Sequence, residues 1–241
     1  MNCTYVKLQL VFVVDVSSQS VIQYFQRVSS DITIWLQKIF RDPEFGVTTF
    51  ADWDSAAWGS ISHNDAEGCF KITQQLTTDD VKISNAARRL KHLASDSTEN
   101  GDTALAWTAA SKNVGWTRNA MLSDGRQVVR LMVLFENQFV NPEGMLKYPR
   151  DRQPSKGDGT DSCVKTLPVT RNVFENVLTR DGMSVMGIFT LDEDSGVIDK
   201  WNDLFDSVDQ LPYMSLSDST PTPDIVNYIK SLVAAQNLDC M

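Results

Sequence analysis

Long apolar runs and Cys-x-x-Cys pairs are both missing from this sequence. No stretch approaches the roughly 20 apolar residues that a membrane-spanning helix requires, and the first residues do not resemble a signal peptide. The 241 residues include only 4 cysteines and 2 histidines. No two cysteines stand in a Cys-x-x-Cys pair, which argues against a zinc site. We therefore expect no membrane insertion by this chain and no structural zinc.

Basic residues are in the minority. The chain has 22 Lys and Arg against 31 Asp and Glu, which gives a formal charge of −9. Binding to a phosphate backbone requires clustered Lys and Arg, so we exclude nucleic acid as a partner. The acidic balance is compatible with an extracellular adhesive surface or with ordinary solubility.

What the sequence does contain is an alternation of apolar strands and amphipathic helices. Strands are predicted at 6–14, 45–50, 70–76, 128–135, 183–191 and around 213–216, and helices at 21–40, 81–93, 103–114, 171–180, 199–208 and 223–235. The strands at 6–14 and 128–135 are rich in β-branched and apolar residues, as parallel strands buried on both faces are. The alternation predicts an α/β fold with a three-layer, doubly wound and mostly parallel central sheet.

Oxygen-bearing side chains gather where two of the predicted strands end. Asp15, Ser17 and Gln19 follow the first strand at every second position, and Glu136 and Asn137 follow the strand at 128–135. In an open α/β sheet, ligands bind at the carboxyl ends of the strands, and oxygen ligands suit Mg2+, Ca2+ or Mn2+. A second interpretation stays open, in which Asp15 and Ser17 cap the helix that follows.

The order of several motifs resembles that of von Willebrand factor A-type domains, and most closely that of the I-like domain of integrin β subunits. The similar segments are VFVVDVSSQS (11–20), FGVTTFAD (45–52), FKITQQLTTD (70–79), SDSTENGDTA (95–104), GWTR (115–118) and VRLMVLF (129–135). The resemblance implies a single domain over residues 1–241, a Rossmann-like sheet with one antiparallel edge strand, and a metal-ion-dependent adhesion site.

In that family the adhesion site begins with an Asp-x-Ser-x-Ser motif. By the resemblance, Asp15 and Ser17 occupy its first two positions, and Glu99 matches a glutamate of the middle loop. Gln19 stands where a second serine is usual, and Asn137 stands where the third loop supplies an aspartate. Gln and Asn oxygens are acceptable ligands. The resemblance therefore implies Mg2+ or Mn2+ bound by this set of residues.

Two further metal sites flank the adhesion site in the family. One uses acidic residues where this chain has Ile22 and Gln23, so we expect it to be missing. The other implies a Ca2+ ion held by Asp52, Asp96 and Glu99. In the alternative interpretation Asp52 merely begins a polar loop.

The long polar loop at 51–69 corresponds to the specificity loop of the family. Trp53 and Trp58 lie in its first half, and we expect them to be exposed anchors for a partner. The loop is shorter than in integrin β subunits, which argues against pairing with an α subunit. We expect His92, outside this loop, to be a surface or helix-face residue.

The four cysteines are Cys3, Cys69, Cys163 and Cys240. An even count with one cysteine near each end favours an oxidising compartment. By the resemblance, Cys163 lies near a family cysteine whose usual partner is replaced by Ser111, so the implied disulfides are Cys3–Cys240 and Cys69–Cys163. We expect an extracellular or cell-surface location, secreted or anchored by segments outside this chain.

The function that the resemblance implies is recognition without catalysis. A protein partner would complete the coordination of the cation with an Asp or Glu side chain. One alternative is a von Willebrand A-type protein-interaction scaffold whose metal site has degenerated. Another is a Mg2+-dependent phosphohydrolase with Asp15 as its nucleophile, although Ser17 stands where such enzymes commonly carry a second aspartate.

Overall fold

The computed structural model describes residues 3, 5–51, 70–92, 98–99, 101–136, 139–140, 183–189 and 221–235. The strands in these ranges are β1 (Val6–Asp15), β2 (Glu44–Phe50), β3 (Phe70–Thr77), β4 (Thr98–Glu99), β5 (Gln127–Glu136), β6 (Phe139–Val140) and β7 (Met183–Phe189). The helices are α1 (Gln19–Gln37), α2 (Asp80–Arg88), α3 (Gly101–Ala110) and α4 (Thr222–Ala235), with a short 3-10 helix at Lys112–Val114.

Five strands form one mixed sheet in the order β3-β2-β1-β5-β7. Strands β2, β1, β5 and β7 pair in parallel, and β3 pairs antiparallel with β2 at one edge. This arrangement confirms the predicted α/β fold with a mostly parallel sheet and one antiparallel edge strand. The two-residue strands β4 and β6 form a separate parallel pair, which the sequence did not predict.

Strand β1 lies in the middle of the sheet and is buried along its whole length. Its residues at positions 6, 8, 10, 12 and 14 belong to the main core cluster, together with apolar residues of α1, α2 and α4. The rings of Phe12, Phe25 and Phe135 meet there, with centroids 5.0 to 6.0 Å apart in edge-to-face geometry. These aromatic pairs fix α1 against the two central strands.

Helix α3 packs against the opposite face of the sheet. Val47 belongs to the main core cluster, and successive side chains of a strand point to opposite faces, so Thr48 points away from that cluster. Its hydroxyl lies 2.9 Å from the hydroxyl of Thr108 in α3. The described helices therefore cover both faces of the sheet, as the sequence predicted.

The predicted helix boundaries differ from the observed ones at three places. Helix α1 occupies 19–37 rather than 21–40, because Ser18 is the N-cap and the chain leaves the helix at Lys38. Helix α2 begins after its N-cap Asp79, whose carboxylate accepts hydrogen bonds from the first turn, but it ends at Arg88 rather than at 93. The helix predicted at 103–114 is divided, and a 3-10 turn follows α3.

Several sequence predictions lie outside the described residues. They are the helices at 171–180 and 199–208, the strand around 213–216, and all but the first residue of the loop at 51–69. Within the described ranges, no helix is long and apolar enough to cross a membrane.

Candidate functional site

The candidate site lies at the carboxyl ends of β1 and β5. The register of these parallel neighbours pairs Val14 with Phe135, so Asp15 and Glu136 come next in each strand. Adjacent strands lie about 4.8 Å apart. Val14 and Phe135 belong to the main core cluster, so Asp15 and Glu136 point to the opposite face, where α3 packs. Both residues are fully buried.

Asp15 uses only one of its two carboxylate oxygens within the described residues. Its Oδ1 accepts hydrogen bonds from the backbone N–H of Ser17 at 2.7 Å and from the Ser17 hydroxyl at 2.5 Å. Its Oδ2 is buried and has no hydrogen-bond partner among the described residues. Buried polar atoms are nearly always satisfied in native proteins. This oxygen is therefore available to a cation or a water molecule.

Burial also perturbs the ionisation of Asp15. Desolvation raises the pKa of its carboxyl group from 3.8 to about 6, and it outweighs the hydrogen bonds from Ser17 and the charge of His92, which lower the pKa. The protein thus holds a carboxylate whose negative charge is only partly compensated by its surroundings. A bound cation would compensate it.

The serines after β1 have different roles. The N-cap of α1 is Ser18, and its side chain makes no capping hydrogen bond. The N-cap position is therefore occupied by Ser18, and not by Asp15 or Ser17 as the alternative interpretation expected. Gln19 is the first residue of α1, and it is exposed.

His92 contacts the loop after β1, a role that the sequence did not reveal. Its Nε2 lies 2.8 Å from the carbonyl oxygen of Ser17. His92 follows the end of α2 and is exposed, which agrees with the prediction of a surface or helix-face residue. No local pattern pointed to it, since 75 positions separate the two residues.

The middle loop comes close to the end of β5. Thr98 and Glu99 pair in parallel with Phe139 and Val140, just beyond Glu136. The backbone that carries Glu99 therefore lies beside the segment that follows β5. This places the predicted middle and third loops at the same edge of the sheet as Asp15.

Glu136 itself contacts α3. A Cβ atom built on Gly101, the first residue of α3, would lie 2.5 Å from Glu136 Oε2. The sequence analysis considered Glu136 and then assigned the third-loop position to Asn137. The structure shows that Glu136 is a buried carboxyl group at the base of both loops.

Other predicted site residues lie outside the described part of the chain. They are Asp52, Asp96, Asn137, Trp53 and Trp58, together with the side chain of Glu99. Among the residues that are described, no group of three or more His, Cys, Asp or Glu side chains could hold a metal ion. The five-residue ligand set and the flanking Ca2+ site both stay predictions.

Cys3 is buried, and its backbone forms an isolated parallel β-bridge with Phe40. This β-bridge lies at the opposite end of β1 from the candidate site. It is disulfide-bonded. Cys69, Cys163 and Cys240 lie outside the described residues. The pairings Cys3–Cys240 and Cys69–Cys163 therefore stay predictions.

The sheet order, the antiparallel edge strand and the polar residues at the carboxyl ends of the central strands define a von Willebrand A-like α/β fold. Two solved structures share this fold. Proximal thread matrix protein 1 (PTMP1) from the mussel byssus matches with a TM-score of 0.55 and 11% identity over 96% of this chain. The conserved hypothetical protein BatB from Bacteroides thetaiotaomicron matches with a TM-score of 0.54 and 10% identity over 94% of this chain.

The match spans about half of PTMP1, 49% of its chain, and 99% of BatB. At such low identities the likeness shows the fold alone. No family model matches the sequence, and no curated protein matches it. The more specific resemblance to integrin β I-like domains stays a prediction.

Proposed function

We propose that this domain is an extracellular recognition module that binds a divalent cation at the carboxyl ends of β1 and β5. It would bind a protein partner through an Asp or Glu side chain of that partner. The observation that supports the proposal best is the buried Oδ2 atom of Asp15, which has no hydrogen-bond partner among the described residues. The fold supports a protein-interaction role in general.

The donor chemistry of the loop after β1 fits a hard cation. Mg2+ and Mn2+ are bound by carboxylate, hydroxyl and amide oxygens and by water. Asp15 would contribute its carboxylate, and Ser17 its hydroxyl oxygen, which can accept while its proton is donated to Asp15. Glu99 and Asn137 would contribute from the neighbouring loops. A bound cation would supply positive charge to attract a carboxylate of the partner.

Electrostatics favours cation binding at Asp15. Burying an ionised carboxylate without a compensating charge is costly, and here burial raises the pKa of Asp15 to about 6. Because the acid is largely ionised at neutral pH, the folded domain would gain stability from a cation there. We propose binding rather than catalysis as the use of this charge.

A second candidate function is protein recognition by the same fold without a metal. The structure offers one observation in its favour, which is the exposed position of Gln19 at the start of α1. An exposed glutamine would contribute little to a buried coordination shell. In this case the loops at the carboxyl edge would contact the partner directly.

Isothermal titration of the metal-stripped 241-residue chain with Mg2+, Ca2+ and Mn2+ distinguishes the two candidates. We expect saturable binding of Mg2+ or Mn2+, and loss of that binding in Asp15→Asn and Glu99→Gln. The matched control is Asp124→Asn, because Asp124 is an exposed aspartate in the turn that precedes β5, far along the strand from the site. It should bind as the wild type does.

Heat of binding that survives both Asp15→Asn and Glu99→Gln would contradict the proposed site. No binding to the wild type at millimolar cation would favour metal-free recognition. If a cation binds, the same protein should capture acidic peptides in its presence and release them with EDTA.

A further inference from the structure

A contact between Glu136 and Gly101 joins the end of β5 to the start of α3. Glu136 is fully buried, and its backbone is paired with Phe189 of β7 on one side. A Cβ atom at position 101 would lie 2.5 Å from Oε2, 3.1 Å from Cδ and 3.2 Å from Oε1 of Glu136. The whole carboxyl group therefore faces the Cα of Gly101, and any larger residue would displace it.

The chemistry of this contact suits a carboxylate. The first N–H groups of a helix have no partner within the helix, and the helix dipole makes that end positive. The helix dipole therefore favours a negative charge at the start of α3, although neither carboxylate oxygen accepts a hydrogen bond from the described residues. Strand β5 is paired with a strand on each side, so the position of Glu136 is fixed by the sheet. We therefore infer that Glu136 positions α3, and not the reverse.

Locating Gly101 also locates Glu99. A single residue separates them, and consecutive Cα atoms are about 3.8 Å apart, so the two Cα atoms lie within about 8 Å of each other. Glu99 is held from the other side by the β4–β6 pair, where it lies opposite Val140. The segment with Glu99 is thus anchored at Gly101 by Glu136 and at Glu99 itself by the pairing of β4 with β6.

We propose that Glu136 is a positioning residue. Its buried carboxylate, packed on Gly101, sets the first turn of α3 and with it the position of Glu99 at the edge of the sheet. The role of Glu99 as a metal ligand rests on the proposed function above. The role of Glu136 in holding the segment does not, so the two are tested separately.

The contact itself is tested by a double-mutant cycle read by thermal unfolding in EDTA. In the wild-type background, Gly101→Ala should lower the Tm by about 5 °C, because the new methyl group clashes with the carboxylate. In the Glu136→Ala background the same change should leave the Tm unchanged or raise it, since alanine is a better helix former than glycine. In the Glu136→Gln background, which keeps the size of the side chain, the loss should persist.

An equal effect of Gly101→Ala in all three backgrounds would overturn the contact. If Glu136→Ala does not fold, the contact is still tested by comparing the effect of Gly101→Ala in the wild type and in Glu136→Gln. If Gly101→Ala no longer lowers the Tm in Glu136→Gln, the size of the side chain at position 136 is not the cause of the loss.

The positioning role is tested by hydrogen exchange and by cation affinity on the same chain. Glu136→Gln should increase the exchange rate of the amides at 98–99 and 139–140 by about tenfold, and weaken Mn2+ binding by about the same factor. The control is Val129→Ala, which removes core volume on the other face of β5. It should lower the Tm at least as much without changing either readout.

Unchanged exchange at 98–99 in Glu136→Gln would overturn the positioning role. If the wild type binds no cation, the proposed function fails, yet the exchange measurement and the cycle still decide on Glu136. If cation binds and exchange rises while affinity stays the same, Glu136 does not position a ligand, and the inference is wrong.

Discussion

The imidazole Nε2 of His92 lies 2.8 Å from the carbonyl oxygen of Ser17. This contact joins the chain beyond α2 to the loop that carries the serines after β1. Ser17 is in turn bound to Asp15 through both its backbone N–H and its hydroxyl. His92, which is distant from this loop in sequence, therefore holds the loop conformation on which the orientation of the Asp15 carboxylate depends.

We predict that removing this contact loosens the loop. His92→Ala should lower the free energy of unfolding by about 1 kcal/mol, which is the usual net value of one hydrogen bond. It should also weaken Mn2+ binding, because a less ordered loop must be ordered again on binding. Urea unfolding and isothermal titration measure the two effects.

The matched control for His92 is Lys91→Ala. Lys91 is the exposed neighbour of His92, and its truncation should leave both stability and affinity near the wild-type values. An unaltered affinity in His92→Ala would show that the contact does not order the site.

The ionisation of Asp15 predicts how stability depends on pH without a cation. The folded pKa of about 6 lies above the ordinary value of 3.8, so the folded state favours the protonated acid. This contribution is fully present below pH 4 and is lost as the pH rises through 6. At about 1.4 kcal/mol per pKa unit, the loss amounts to roughly 3 kcal/mol.

Asp15→Asn should remove this part of the pH dependence. In EDTA, the stability of the variant relative to the wild type should rise between pH 4 and pH 7, as followed by urea unfolding at each pH. Asp124 is a control whose pKa shift has the opposite sign, because a hydrogen bond from the backbone N–H of Arg126 lowers the pKa of its carboxyl group. Parallel pH profiles of wild type and Asp15→Asn would contradict the prediction.

The hydroxyl pair of Thr48 and Thr108 predicts a coupling between β2 and α3. The two oxygens are 2.9 Å apart, and both residues are fully buried. Thr48→Val should cost about 1 to 3 kcal/mol, because it leaves the hydroxyl of Thr108 without this partner. Adding Thr108→Val should restore most of that loss, since an apolar pair of the same shape needs no hydrogen bond.

Thr49→Val is the control for that cycle. Thr49 is the next residue on β2, and its hydroxyl makes only a 3.4 Å contact with Thr73. Its replacement should have the smaller effect in urea unfolding. Additive losses in Thr48→Val and Thr108→Val would show that the hydroxyls do not interact.

Most of the fold could be predicted from the sequence because it depends on local patterns. The apolar, β-branched residues of β1 and β5 indicated buried parallel strands, and the alternation of strands with helices indicated an α/β sheet. Asp15 could be placed at a strand end for the same reason. The ends of α1 and α2 were misplaced, since apolar periodicity continues past the point where the chain leaves the helix.

The contacts that build the candidate site could not be predicted in this way. Ser17 with His92, Gly101 with Glu136, and β4 with β6 each join segments that are far apart along the chain. Glu136 shows the difficulty well. In the sequence Glu136 is one of two polar residues at a strand end. Its direction toward α3 follows only from the structure, in which the preceding residue of β5 points into the main core cluster on the other face of the sheet.

The sequence by itself determined the class of the fold, the order along the chain of the five strands of the main sheet, and the strand end at which Asp15 stands. It could do so because hydrophobic periodicity and turn chemistry act over a few residues. Only the tertiary structure decided that Asp15 is buried with one oxygen unsatisfied among the described residues, that His92 contacts the loop after β1, and that Glu136 contacts the first residue of α3. Burial and long-range contacts arise from the packing of whole elements, and no short segment encodes them alone.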